Sequence, residues 1–169
     1  MNVTAYISEL DKNTGDIMQL LKECPEALLE KKQEGEWSIL EILEHILITD
    51  RVVYNLLTGP CEPGEKPEVL GAEKLKRYMV DMRSRRAKAP EQLLPKGEIK
   101  NNAEFIEQFL KQRAFLVQAL ETGKIVMDNG TVKHPMLGDL SKSDWLNFIV
   151  HHAHRHLLQV QDRLVNTGG

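Results

Sequence analysis

No apolar run in this sequence approaches the roughly 20 residues that a membrane-spanning helix needs. Only two cysteines, Cys24 and Cys61, occur among 169 residues, and they have neither a CxxC nor a metal-finger spacing. A disulfide framework and a cysteine-based zinc module are therefore not expected. The start, Met1-Asn-Val-Thr-Ala-Tyr6, lacks the basic-then-apolar pattern of a signal peptide, so we read a reduced, cytoplasmic protein. Positive charge is not in excess either: the net charge is -3, which gives no electrostatic case for nucleic acid as a partner. There is no glycine-rich phosphate loop, dinucleotide fingerprint or nucleophile elbow, and no Ser-His-Asp set can be picked out by spacing. Aromatic residues make up only 5%. Leu, Ile, Glu, Lys and Gln are plentiful instead, which favours helices packed by aliphatic side chains. The length fits one domain, residues 1-169, able to bury a core without disulfides.

What is there is helical periodicity. Tyr6, Leu10, Ile17, Leu20 and Leu21 line one side of a segment at 3-23, and Pro25 ends it because the residue before proline avoids the helical region. The next helix, 38-58, has a well-marked start: Ser38 as N-cap, Glu41 at the capping-box position and Trp37 placed to staple against Ile42. Gly59-Pro60 closes it, and the proline-rich stretch 59-71 reads as a loop. A shorter accessory helix is expected at 72-87, with Leu75, Tyr78, Met79 and Met82 as its stripe. Its Lys74, Lys76, Arg77, Arg83, Arg85, Arg86 and Lys88 form either a solvated charged face or a hold for an anionic ligand.

Asn101, with Glu104 three residues on, caps a core helix at 102-122 bearing Phe105, Phe109, Leu116 and Leu120. Two β-prone runs around Asn129-Gly130 suggest a small two-stranded hairpin near 125-133. Ser141 and Asp144 make a second capping box, Leu140 and Trp145 a second staple, and the last helix is expected over 142-165. Four long amphipathic helices joined by long loops imply an all-α four-helix bundle with crossover connections.

Four of the six histidines crowd into the last helix. His152 and His156 are one turn apart on a face otherwise lined by Trp145, Ile149 and Val160, so they can offer two nitrogens to one ion. Alternatively each simply bonds a neighbouring carbonyl or carboxylate. His45 lies on or beside the apolar face of the 38-58 helix and supplies a third imidazole from a second element. Three imidazoles would leave a coordination position open, the arrangement of a catalytic rather than a structural ion. The segment is not a zincin signature, because residue 153 is Ala where the glutamate would stand. Gln159, one turn beyond His156, is a candidate to hold a water or a substrate carbonyl, or else is a surface amide. Glu41 and Thr49, each one turn from His45, could orient it. His134 has no evident partner, and His151 and His154 are assigned to the surface or a subunit contact.

Trp37-Ser-Ile-Leu-Glu-Ile-Leu-Glu-His45, with Asp50 five residues on, resembles the opening motif of the DinB/YfiT-like superfamily. His134-Pro-Met-Leu-Gly-Asp-Leu140, Trp145 and His152-Ala-His-Arg-His-Leu-Leu-Gln159 resemble its closing motif. The resemblance covers nearly the whole chain. It implies an up-down-down-up four-helix bundle, a homodimer, and a divalent metal, zinc or nickel by preference, on His45, His152 and His156. Members of the family include enzymes that use low-molecular-weight thiols and metal-dependent hydrolases, and a shared fold does not fix the chemistry. The expectation is therefore thiol-dependent S-transfer with a small-molecule cosubstrate. The alternatives are metal-dependent hydrolysis, or a non-catalytic metal-binding or dimerisation module.

Overall fold

The computed structural model describes residues 1–82 and 88–167, the last two of these by backbone alone. In chain order the helices are α1 (Val3–Glu23), α2 (Ile39–Thr58), α3 (Ala72–Lys76), α4 (Asn102–Glu121) and α5 (Lys142–Thr167). Both capping boxes form. Ser38 Oγ accepts from the Glu41 amide while Glu41 accepts from the Ser38 amide, and Ser141 and Asp144 do the same. Asn101 caps α4 through the Glu104 amide at 2.9 Å.

Two apolar clusters, one at each end, fix the helix directions. The first joins Leu20 and Leu21 of α1, Ile39 and Leu43 of α2, Phe105 and Phe109 of α4, and Leu157 and Val160 of α5. The second joins Tyr6 and Leu10 of α1, Val53 and Leu57 of α2, Leu116 and Leu120 of α4, and Trp145 and Ile149 of α5. The late residues of α1 and α5 thus meet the early residues of α2 and α4, and the bundle runs up-down-down-up. α1 and α2 each pack against both α4 and α5. Between the clusters Asp50 and Arg113 form a buried ion pair at 3.0 Å, with the guanidinium over the Phe109 ring. Tyr6 donates to the Leu146 carbonyl at 3.1 Å and so ties α1 to the start of α5.

Three local expectations shift. The accessory helix keeps α-helical form only over Ala72–Lys76 and continues as a wider π turn, Arg77–Asp81, closed by the Met82 amide on the Arg77 carbonyl. Because that turn bonds i to i+5, Val80 follows Leu75 into the interior while Tyr78 is left 49% exposed. The rest of the expected 72-87 helix, with Arg83, Arg85 and Arg86, lies outside the described residues. The hairpin is present but displaced: β1 (Thr131–His134) and β2 (Gly138–Ser141) pair antiparallel around Pro135–Leu137, where Gly138 takes φ +78. Asn129-Gly130 is not its turn, because Thr131 already bonds Glu62 of the 59–71 loop on its other edge. Leu140, fully buried opposite Val132, sets the register instead. Finally, His151 is 8% exposed, not a surface residue, because α3 covers that face of α5 and Ala72 bonds the ring through its backbone. His154 is half-buried.

Candidate metal centre

His45 on α2 and His152 and His156 on α5 converge. His152 Nε2 lies 3.1 Å from His45 Nε2 and 3.2 Å from His156 Nε2. One ligating nitrogen from each falls within 4.8 Å of the others, and all three residues are buried. The opposite nitrogens show which protons are where. His45 Nδ1 sits 2.7 Å from the Leu93 carbonyl and His156 Nδ1 sits 2.8 Å from Gln159 Oε1. A carbonyl oxygen only accepts, so both rings carry their proton on Nδ1 and turn an Nε2 lone pair inward. A proton on His152 Nε2 could reach only one of these lone pairs at a time. Three convergent Nε2 atoms with that proton distribution fit a shared cation. A tetrahedral ion with nitrogens at about 2.0–2.1 Å would separate them by roughly 3.3–3.4 Å, near the 3.1 and 3.2 Å observed.

Burial keeps these rings neutral and available as ligands. It is the leading cause for each. His45 is pushed below the usual histidine range, against the Leu93 bond that raises it. His156 falls to about 3 through burial, then the neighbouring His45, with the Gln159 bond opposing. His152 falls well below the usual range through burial, then His156 and His45. Aromatic walls complete the enclosure. Trp37 packs 4.9 Å from His45, and Phe148 stacks on His152 at 5.3 Å with the ring planes 13° apart.

Sequence reasoning missed two contributors. Glu44, beside His45, is 2% exposed under the loop at 96–98 and accepts the amides of Lys96, Gly97 and Glu98 at 2.9, 2.9 and 3.1 Å. No capping or spacing rule marks such a residue. His134 packs at a tilt against Trp145 and Phe148, both at 5.3 Å, and its Nδ1 accepts the amides of Met136 and Leu137. Its proton therefore sits on Nε2, and burial lowers its pKa. The family motif around it was the available signal. Of the expected orienting residues, Glu41 is taken up by the capping box and Lys32. Thr49 is buried with its hydroxyl unpartnered among the described residues. A surface groove of about 450 Å3 near Cys61, Gly64, Asp128 and Lys142 is not part of the centre, and its buried amine, Lys142, is held by Asp128 and Val126.

A sequence model of the DinB superfamily matches residues 9–160. The chain belongs to the DinB superfamily. Among its relatives is the uncharacterized protein YuaE of Bacillus subtilis (strain 168), 26% identical over 137 residues, which span 81% of this chain and 83% of that one. Two solved structures share the fold. TT2238, a four-helix bundle protein, superposes with a TM-score of 0.60 at 20% identity, covering 95% of this chain and 99% of its own. YfiT from Bacillus subtilis, described as a probable metal-dependent hydrolase with an unusual four-helix bundle topology, gives 0.56 at 16% identity, covering 98% and 87%. In this chain the second and last helices pack side by side, where the three imidazoles meet. Among the described residues no helix is long and apolar enough to cross a membrane.

Proposed function

We propose that this DinB-superfamily protein is a metal-dependent enzyme in which His45, His152 and His156 hold a divalent ion, with zinc or nickel preferred although three imidazoles suit cobalt and iron almost equally, and that it transfers a low-molecular-weight thiol to an electrophilic carbon. The single observation that carries the reading is the convergence of three Nε2 atoms with two Nδ1 protons already committed elsewhere. A divalent ion held there supplies Lewis-acid chemistry, lowering the pKa of a thiol or a water so that its conjugate base exists at neutral pH.

The chain's own residues do the rest. Leu93 and Gln159 orient two of the imidazoles, and Trp37 and Phe148 keep bulk water from them. The nucleophile comes from outside. Cys24 is buried in the apolar core with its thiol pushed up by burial, and Cys61 lies in the groove near Gly64 and Lys142. The thiol proton passes to solvent, the sulfur forms the new bond to carbon, and the electron pair of the broken bond leaves with the departing group. Gln159 keeps its amide N–H groups for a substrate carbonyl, since its oxygen faces His156.

Thiol chemistry is preferred to hydrolysis because every carboxylate of α2 is already engaged: Glu41 by Ser38 and Lys32, Glu44 by the 96–98 amides, Asp50 by Arg113. None is placed to take the second proton of an attacking water or to hand one to its leaving group, whereas a thiol, with a free pKa of about 8.5, has a single proton to give up to solvent. Hydrolysis is the second reading, favoured by the description of YfiT. The test is a panel of low-molecular-weight thiols with electrophiles, beside a panel of esters and amides, using metal-loaded protein and a His152→Ala variant. Conjugation lost in the variant is the expected result. Turnover of esters alone would replace it with hydrolysis, activity unchanged by His152→Ala would remove the metal from the reaction, and silence across both panels would leave a non-catalytic metal-binding module.

A further inference from the structure

Among the described residues, His45 is the one imidazole of the centre whose second nitrogen is held by a main-chain atom, the Leu93 carbonyl at 2.7 Å. No side-chain substitution can delete a carbonyl, so what fixes it in place is the question. Leu93 closes a single 3-10 turn, Glu91–Leu93, in the loop between α3 and α4. Three residues later the loop is fastened to α2. Both carboxylate oxygens of Glu44 accept consecutive amides, from Lys96, Gly97 and Glu98, and Gly97 takes φ +72 to turn its N–H inward. Glu44 is thus the neighbour of His45 in sequence and the anchor of the carbonyl that reaches His45 in space. The ring contact with Trp37 at 4.9 Å restrains the imidazole sterically but does not choose which nitrogen carries the proton.

We propose that Glu44 is a positioning residue for His45: by clasping residues 96–98 it holds the Leu93 carbonyl on Nδ1, and so fixes the tautomer and ring orientation that turn Nε2 toward His152 and His156. Its effect on metal affinity rests on the metal-centre reading given above, whereas its effect on the tautomer does not.

The fold supplies its own control. Asp144, at the start of α5, makes the same kind of clasp on another loop, accepting the amides of Val69, Leu70 and Gly71 at 2.8, 3.1 and 2.7 Å. Among the described residues that loop presents nothing to His45, His152 or His156; it leads instead into Ala72, which bonds His151. Two buried carboxylates each hold a crossover loop, but only one of those loops touches the centre.

The experiment compares Glu44→Gln, Glu44→Asp and Asp144→Asn with the parent chain by two readouts. In metal-free protein, long-range nitrogen–proton NMR of the imidazoles reports the tautomer of each histidine. Competition against a chelator reports the affinity for zinc. The expected result is a mixed tautomer at His45 alone, and a loss of about 10–100-fold in zinc affinity, the usual size for an orienting partner, in Glu44→Gln. Glu44→Asp should show the same effects in smaller degree, and it serves alone where Glu44→Gln does not fold. Asp144→Asn should lower the melting temperature and leave the zinc affinity and the His45 tautomer at the parent values, any change of tautomer being confined to His151. A single His45 tautomer retained in both Glu44 variants overturns the proposal, as does an equal loss in Asp144→Asn. Should the parent chain bind no zinc, the metal-centre reading fails, and the tautomer of His45 still decides the role of Glu44.

Discussion

Gln159 Oε1 lies 2.8 Å from Nδ1 of His156, one turn back on the same helix, and fixes that ring much as a main-chain carbonyl fixes His45. Gln159→Leu removes the acceptor while keeping the bulk. We expect zinc affinity to fall about 10–100-fold, and His156, not His45, to show a mixed tautomer. Unchanged affinity by chelator competition would mean that the amide has no orienting role.

The Asp50–Arg113 pair predicts an asymmetric mutational response. Burial pushes the Asp50 carboxyl up to about 6, with the Arg113 charge opposing. Arg113→Met leaves that carboxylate uncompensated and should cost about 3–5 kcal/mol of stability near neutral pH. The cost should shrink as pH falls, because the stranded carboxyl can then take up a proton. Replacing both, Asp50→Leu with Arg113→Met, should lie near the parent chain. Urea melts decide it: a single substitution no worse than the double would show that the pair is not coupled.

Acid should destabilise the metal-free protein. A histidine whose folded pKa lies below the unfolded value of 6.5 leaves the unfolded chain binding more protons. Stability is then intact above pH 6.5 and is lost as pH falls below it. For His156, held at about 3, the loss by about pH 5 is about 2 kcal/mol. His45, His134, His151 and His152 are lowered as well and act in the same sense. Asp50 acts oppositely, since its raised pKa makes the folded chain the better proton binder between about 6 and its ordinary 3.8. Five imidazoles against one carboxyl give a net fall, which denaturant midpoints with chelator present at about pH 7 and about pH 5 will show. A flat or rising midpoint would contradict the assignment of neutral, buried rings.

Two glycines should respond with opposite signs. A Cβ at Gly15, within α1, meets nothing within 4 Å, so Gly15→Ala should add about 0.5–1 kcal/mol. A Cβ at Gly64 would come 2.0 Å from the Asn129 carbonyl, which forces the 59–71 loop off β1. Thermal melts of the two variants should move in opposite directions.

The long helices and their starts could be read in advance because caps and apolar stripes are local. Ser38 with Glu41, Ser141 with Asp144, and the Phe105–Phe109 stripe each act within a few residues. His45, His152 and His156 were also legible as candidates, since a histidine on an apolar face is rare enough to stand out. What could not be read is what depends on non-local partners. Glu44 looks like any helix glutamate until the 96–98 loop is seen to fold over it. The shift of the hairpin away from Asn129-Gly130 goes with Glu62 bonding Thr131, sixty-nine residues away. Val80 displaces Tyr78 from the interior only because one turn widens.

The up-down-down-up order also sets when the centre can exist. The parallel pair α1 and α5 cannot be zipped together from an adjacent hairpin, since Tyr6 meets Leu146 across 140 residues; the antiparallel contact of α2 with α5 is also distant, His45 meeting His152 across 107. Such distant pairings slow folding relative to a bundle of sequential hairpins. A ribosome-bound chain has made His45 and its clasping loop long before α5 emerges, so on the metal-centre reading proposed above capture of an ion waits for His152 and His156. On that reading, chains truncated before His152 should fail to retain zinc in a chelator competition.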